Sequence, residues 1–337
     1  MEKKPRVGII MGDAAGIGSE IIVKTMANPL IFGECEPYLF GSKPVIEKTV
    51  AMLGLPMKVL QDTIEKPEPC TPNTIRVIDC DIEQNNHFAW GAVDPLNGRN
   101  CINAFNVAFK FVARSKLDAL TFGPLNKEAL HRGGLKHPDE AGMMKDFSQV
   151  SLVKSVVKWN QLFRCTVVGH VPFSQIIENL SEERVLLAID QLGKVIERFL
   201  PTIPRIGVAG LNPHAGEGGD FGDEEERILK PAIEKGRKEF GYLIDGPFPA
   251  DTVILKALRN EIDGIVYLYH DQGNIAMKAI GFGEGVVIYT GMPIYVTTPG
   301  HGTAYNIAGK NIADEANFRE SLKVSIQLAK RSQLNNL

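Results

Sequence analysis

Short apolar runs separated by amphipathic stretches recur along the whole chain, and their lengths decide what each one is. Val7–Met11 is apolar throughout and too short for a helix, so it predicts a buried strand. Gly12 to Gly18 then reads as a glycine-bearing loop. Ser19 and Glu20 open a helix that runs through Ile21, Ile22 and Met26. Tyr38–Gly41 and Ile75–Cys80 predict further strands. Asn103–Ser115 predicts a helix, followed by the strand Ala119–Phe122 and the loop Gly123-Pro-Leu-Asn-Lys127. Cys165–Gly169 predicts a strand that ends at His170. Ser181 then caps a helix with Glu182 and Glu183 in its first turn and Val185, Ile189, Leu192, Ile196 and Phe199 at helical spacing. Ile206–Gly210 leads to His214, and Gly264–Tyr269 leads to His270. From Gly281 the chain is glycine-rich strand and loop, and a last helix starts at about Asn317. Strand alternating with helix predicts an α/β fold with a largely parallel sheet, arranged as two lobes sharing a cleft. The polar stretch Ile82–Arg99, with Trp90 and Pro95, reads as an irregular excursion.

Composition narrows the function classes. With 337 residues, 44% hydrophobic and 23% charged, the chain can bury a sizeable core. A formal net charge of −3 with no basic stripe argues against nucleic-acid binding. Five cysteines without a Cys-x-x-Cys pair read as reduced, buried thiols in a cytoplasmic protein. The apolar run behind Met1–Arg6 is too short for a signal segment, and no run is long enough to span a membrane.

The glycine loop Gly12-Asp-Ala-Ala-Gly-Ile-Gly18 matches neither Gly-x-Gly-x-x-Gly nor a P-loop, so it implies no dinucleotide or nucleoside triphosphate. It supports a tight turn before a helix N-terminus, with Asp13 as a polar contact. Gly281–Gly285 reads as a flexible turn. No Gly-x-Ser-x-Gly elbow and no His-Glu-x-x-His helix is present.

Of seven histidines, three stand where a buried strand opens into a loop: His170, His214 and His270. Imidazole is the commonest metal ligand, and three with an open fourth position make a Lewis-acid site. Each alone is equally a hydrogen-bonded loop residue. Lys278 reads either as a surface lysine or as a proton donor; Asp251 reads either as the N-cap of the helix after Pro249 and Ala250 or as a proton relay. His301 alone is a loop histidine, and His87 and His131 have no motif around them and read as surface residues.

The segments Gly12–Gly18, Gly123–Lys127, Asn212-Pro-His-Ala-Gly-Glu-Gly218, Phe221-Gly-Asp-Glu-Glu225, Tyr269-His-Asp-Gln-Gly273 and His301-Gly-Thr-Ala304 together resemble the 4-hydroxythreonine-4-phosphate dehydrogenase family, in the same order and over nearly the whole chain. The glycine loop, Phe221–Glu225 and Thr290-Gly-Met-Pro293 look closer to the branch acting on D-threonate or D-erythronate 4-phosphate. The resemblance implies the two-lobed α/β fold of the isocitrate and isopropylmalate dehydrogenases. The lobes are expected at 1–127 with 288–337 (cofactor side) and at 128–287 (histidine side). It also implies a homodimer with its active site at the subunit interface. It implies that His170, His214 and His270 bind one divalent ion (zinc, magnesium, manganese or cobalt) contributed from both subunits. Lys278 then contacts substrate near the reacting carbons, Asp251 supports proton transfer, and His137 contacts substrate. His301, Gly302, Thr303 and Asn306 fall where such folds hold the adenosine part of NAD.

The expected activity is NAD-dependent, metal-requiring oxidation of a small 4-phosphorylated hydroxy acid, with decarboxylation. Departures from the family's pattern bear on the substrate. His137-Pro-Asp-Glu140 lacks an expected threonine, Val287 and Val296 stand where Asn and Arg are usual, and Gly300 replaces an Asp. Valine cannot pair with an anion, for which Arg is the residue of choice, and Arg132 and Lys136 are the nearby substitutes. The sequence alone therefore leaves open an altered or unphosphorylated substrate, a metal-dependent lyase without NAD, and a non-catalytic metal- and ligand-binding protein.

Overall fold

The computed structural model describes residues 3–63, 65–78, 80, 88–281 and 285–334. The chain forms two compact units, residues 1–153 with 291–337, and residues 154–290.

The first unit carries strands β1 (Arg6–Ile10), β2 (Glu36–Phe40), β3 (Lys58–Asp62), β4 (Thr74–Ile78), β5 (Ala119–Phe122) and β12 (Val296–Pro299). They lie side by side in the order β3-β4-β2-β1-β5-β12, with every pair parallel. β1 and β5 lie inside this row and are almost wholly buried, which is why they read as unbroken apolar runs and not as alternating ones.

The second unit carries β6 (Lys154–Trp159), β7 (Leu162–Val168), β8 (Arg205–Ala209), β9 (Leu243–Phe248), β10 (Gly264–Tyr269) and β11 (Val286–Thr290), in the order β11-β6-β7-β10-β8-β9. β6 runs antiparallel to both its neighbours, and β7, β10, β8 and β9 are parallel. The expected α/β class with a largely parallel sheet is what the chain adopts.

Two sequence expectations need revision. The irregular excursion ends earlier than Arg99: the helix that was expected from Asn103 spans Pro95–Ala113. Asp94 caps it by accepting from the Leu96 amide, and Pro95 occupies the first turn, where its missing N–H costs nothing. Residues 128–153, expected in the histidine-side lobe, lie in the first unit. The physical reason is close packing on that helix: a Cβ built on Gly98 would stand 1.8 Å from the carbonyl oxygen of Ala129. His87 falls outside the described residues, and His131 is exposed as expected.

Among the described residues no helix is long and apolar enough to cross a membrane. All five cysteines are free and buried. Burial pushes the Cys35 thiol from 9.0 up to about 12 and the Cys70 thiol up to about 11. Their folded-state values lie above those of an unfolded chain. The stability they contribute is therefore complete below pH 9.0 and declines as pH rises through 11 and 12. Native protein at neutral pH should leave these thiols unreacted with an aromatic disulfide reagent until it is unfolded; rapid native labelling of Cys35 or Cys70 would contradict their burial. Gly98→Ala should cost about 1–3 kcal/mol by overpacking, read from the urea midpoint.

Candidate active site

Three of the second unit's parallel strands are followed within five residues by a histidine. β10 sits between β7 and β8, and Tyr269 pairs with Val168. His270 follows Tyr269 directly and His170 follows Val168 by two residues, so the two imidazoles emerge from adjacent strand ends. Their ring centroids are 5.1 Å apart. Carboxyl ends of parallel strands are where α/β sheets bind ligands, because the loops there leave a crevice and the following helices point their N-termini into it.

His270 is the first residue of the helix His270–Ile280. Its Nδ1 lies 2.6 Å from an Asp271 carboxylate oxygen, and its Nε2 accepts from the Asn274 amide at 2.7 Å. Lys278 lies two turns further along this helix, exposed, in the same i, i+4, i+8 row as His270 and Asn274. Gln272 fills a role that the sequence did not disclose. Its Oε1 accepts from the Leu268 amide on β10, and its Nε2 donates to the Gly210 carbonyl just past β8, both at 2.8 Å. One side chain thus joins the strand ends that lead to His270 and His214.

His214 sits in an unusual backbone. Residues His214, Ala215, Gly216, Glu217 and Gly218 have φ of 53, 55, 84, 44 and 71°. Left-handed geometry at each non-glycine costs roughly 1–3 kcal/mol, so something must hold the segment. The buried carboxylate of Glu225 does so: it accepts from the amides of Leu211 and Asn212 (2.8 Å each) and from the Asn212 side chain (2.9 Å). A Cβ on Gly216 would stand 2.9 Å from this carboxylate, which explains the glycine. The His214 side chain is 71% exposed, with Nδ1 3.8 Å from Glu217 and its ring 6.2 Å from Phe221.

The donor set suits a divalent ion in part. Neutral imidazoles are the right chemistry, and two rings at this separation can offer nitrogens to one ion. His214 does not complete the set: among the described residues, no group of three or more His, Cys, Asp or Glu side chains is gathered closely enough to hold a metal. Asp251 is exposed. It is not the N-cap of the helix Val253–Leu258, a position taken by Thr252, so the capping alternative does not hold.

In the first unit, the loop Gly12–Gly18 packs on the His301–Tyr305 segment. The Ile17 amide donates to the Thr303 carbonyl (3.0 Å), and a Cβ on Gly16 would strike Thr303 at 2.8 Å. Gly16 thus permits close packing of the two segments. Asp13 is buried and accepts from the Ala15 amide (2.9 Å) and the Tyr305 hydroxyl (2.5 Å). Burial pushes up both the Asp13 carboxyl and the Tyr305 phenol, and their hydrogen bond opposes the rise for Asp13 while adding to it for Tyr305. His301 and Thr303 are half-buried; Gly302 and Asn306 are exposed. The half-buried His137 is held by Asp146, Nε2 to carboxylate 2.8 Å. Val296 is wholly buried in β12 and Val287 half-buried in β11, so neither offers an anion contact. Arg132 is paired with Glu128 at 2.8 Å, and Lys136 is exposed.

The chain is an α/β protein, and comparison with known proteins gives its class as dehydrogenase. The family described as pyridoxal phosphate biosynthetic protein PdxA matches residues 33–325, and the chain belongs to that family. It is 36% identical to a putative D-threonate 4-phosphate dehydrogenase from Oceanobacillus iheyensis, covering 98% of this chain and 99% of the relative. It is likewise 36% identical to the D-threonate 4-phosphate dehydrogenase of Cupriavidus necator, covering 97% and 98%. A crystal structure of a 4-hydroxythreonine-4-phosphate dehydrogenase from Burkholderia phymatum superposes with a TM-score of 0.81 at 33% identity, over 97% of this chain and 99% of that one. Isocitrate dehydrogenase from Methylococcus capsulatus shares the fold alone, with a TM-score of 0.51 at 12% identity.

Glu225→Ala leaves two amides without their acceptor and should destabilise the protein by about 1–3 kcal/mol. Hydrogen exchange at Leu211 and Asn212 should accelerate well beyond that of β8 itself. Unchanged exchange at those two amides would show that the loop does not depend on the carboxylate.

Proposed function

We propose that this chain oxidises a small 4-phosphorylated hydroxy acid of four carbons, D-threonate 4-phosphate or a close analogue, with NAD and one divalent metal ion, and with decarboxylation of the oxidised product. The full-length similarity to D-threonate 4-phosphate dehydrogenases supports the substrate class. The observation that carries the site is the pair His170 and His270 on neighbouring strand ends, with Lys278 two turns along the helix that His270 begins.

In this reading the ion would be held by His170, His214 and His270 contributed from both subunits, since among the described residues the three are not gathered within one chain. When bound, the ion supplies Lewis acidity toward the substrate hydroxyl and the carbonyl that replaces it, and the nicotinamide accepts the hydride. The chain's own groups do the rest. Lys278 offers an ammonium proton to the oxygen that gains charge as carbon dioxide leaves, and Asp251, open to solvent, exchanges protons with water. His137, its ring fixed by Asp146, contacts the substrate. His301, Gly302, Thr303 and Asn306 receive the adenosine part of NAD; their segment is supported from behind by the Gly12–Gly18 loop. With Val287 and Val296 withdrawn from anion binding, Lys136 beside His137 takes up negative charge on the substrate.

A homodimer with its site at the subunit interface is part of the proposal. Phe173 (77% exposed), Ile275 (70%) and Phe221 (52%) lie close in sequence to the three histidines and leave an apolar rim open to solvent. Such rims mark surfaces that a partner covers, and a second copy of the chain is the occupant proposed. A cytoplasmic location fits the five free thiols.

Turnover should appear as growth of reduced-nicotinamide absorbance with D-threonate 4-phosphate and NAD in the presence of zinc, magnesium, manganese or cobalt. A chelator should abolish it and added metal restore it. Lys278→Ala should lower kcat by about 10²–10⁴-fold with a smaller change in KM. Absence of reduced nicotinamide across phosphorylated and unphosphorylated acids, with every metal and with NAD or NADP, would overturn the dehydrogenase assignment of this site.

A further inference from the structure

Arg164, on β7, is half-buried, and its side chain reaches the helix that His270 begins. Its Nη1 donates to the Thr166 hydroxyl at 3.0 Å and its Nη2 donates to the Asn274 amide oxygen. Its Nε is buried without a hydrogen-bond partner, and among the described residues no carboxylate pairs with the guanidinium. A buried arginine with no counter-ion is costly, and burial alone disfavours its charge. Structural packing does not account for a cation there, since an aliphatic chain would fill the space without that cost.

The hydrogen-bonding chain that starts at this arginine admits one reading. A guanidinium only donates, so the Asn274 atom facing it is the carbonyl oxygen. The other end of the same amide is then NH₂, which also only donates, and it faces His270 Nε2 at 2.7 Å. Nε2 must therefore carry a lone pair. The ring proton then stands on Nδ1, where it donates to Asp271 at 2.6 Å. From Arg164 Nη2 through Asn274 and His270 to Asp271, each link pairs a donor with an acceptor.

We propose that Arg164 is a positioning residue: acting through the Asn274 amide, it holds His270 in the neutral Nδ1–H tautomer, with a lone pair on Nε2. An imidazole in this form presents a ligand nitrogen without first losing or moving a proton, and outer partners of this kind set both tautomer and ring orientation at metal sites. The consequence for metal binding rests on the reading of His270 as a ligand; the tautomer does not.

The test uses the full-length, metal-free protein. Long-range proton–nitrogen NMR of the histidine rings, with His270 assigned by its loss in His270→Asn, reads the tautomer directly. Wild type should show Nδ1–H. Arg164→Met and Asn274→Leu should each give a mixture with the Nε2–H form, and Arg164→Lys, which keeps a donor toward Asn274, should restore the wild-type signal. If Arg164→Met does not fold, Asn274→Leu and Arg164→Lys still decide the matter. An Nε2–H ring in wild type overturns the proposal. So does an unaltered Nδ1–H ring in both Arg164→Met and Asn274→Leu, since Asp271 alone would then set the tautomer. Cobalt binding, followed by absorbance, should weaken by about 10–100-fold in Arg164→Met. A changed tautomer with unchanged cobalt affinity would instead sink the reading of His270 Nε2 as a metal ligand.

Discussion

The second unit is organised by the burial of β10 between two parallel neighbours. Five of its six residues are buried, and both edges are occupied by the ladders to β7 and β8. A strand so enclosed cannot slip by one residue without turning its apolar set over, so its register is fixed. The fixed register sets where its end falls relative to Val168 and Gly210. Gln272 completes the constraint by bonding both to its own strand and to the β8 end. His170 and His270 are neighbours because of this frame and not because of any direct attraction between them.

Much of this frame is visible in the order of residues, and the reasons differ by element. Gly264–Tyr269 occurs with the bounds its apolar run implies, because a buried parallel strand is apolar on both faces. The helix from Ser181 is equally plain: the serine hydroxyl accepts from Arg184 and apolar positions recur at helical spacing. The start of the helix Pro95–Ala113 is obscured by polar residues and a proline, which can open a helix but look like a break. β6, whose residues are mostly half-buried, carries no strong alternation to betray it.

The candidate site divides in the same way. His170 and His270 are legible because each is the first polar side chain after an apolar run, and His214 because it follows one by way of Asn212 and Pro213. Their supports are not. Glu225, Gln272 and Asn274 lie within or beside recognisable motifs, but their function resides in hydrogen bonds to groups that only folding brings near. Arg164 lies more than a hundred residues from Asn274, and Tyr305 is 292 residues from Asp13. No local period encodes contacts of that separation. The glycine loop of the first unit shows the same division. Its tight turn before a helix is legible locally, yet the amide entering that helix donates to the Thr303 carbonyl, a partner that no local pattern names.

The left-handed run at His214–Gly218 has a consequence for how this scaffold can diversify. A backbone turned that way at successive positions tolerates only side chains without branching at Cβ, and the carboxylate behind Gly216 excludes even a methyl group. Lineages exploring new substrates can vary an exposed position outside this run, such as Lys136, one residue at a time. The His214 loop, by contrast, must be inherited as a block together with Glu225, so a transplant that moves one without the other would lose the loop's shape.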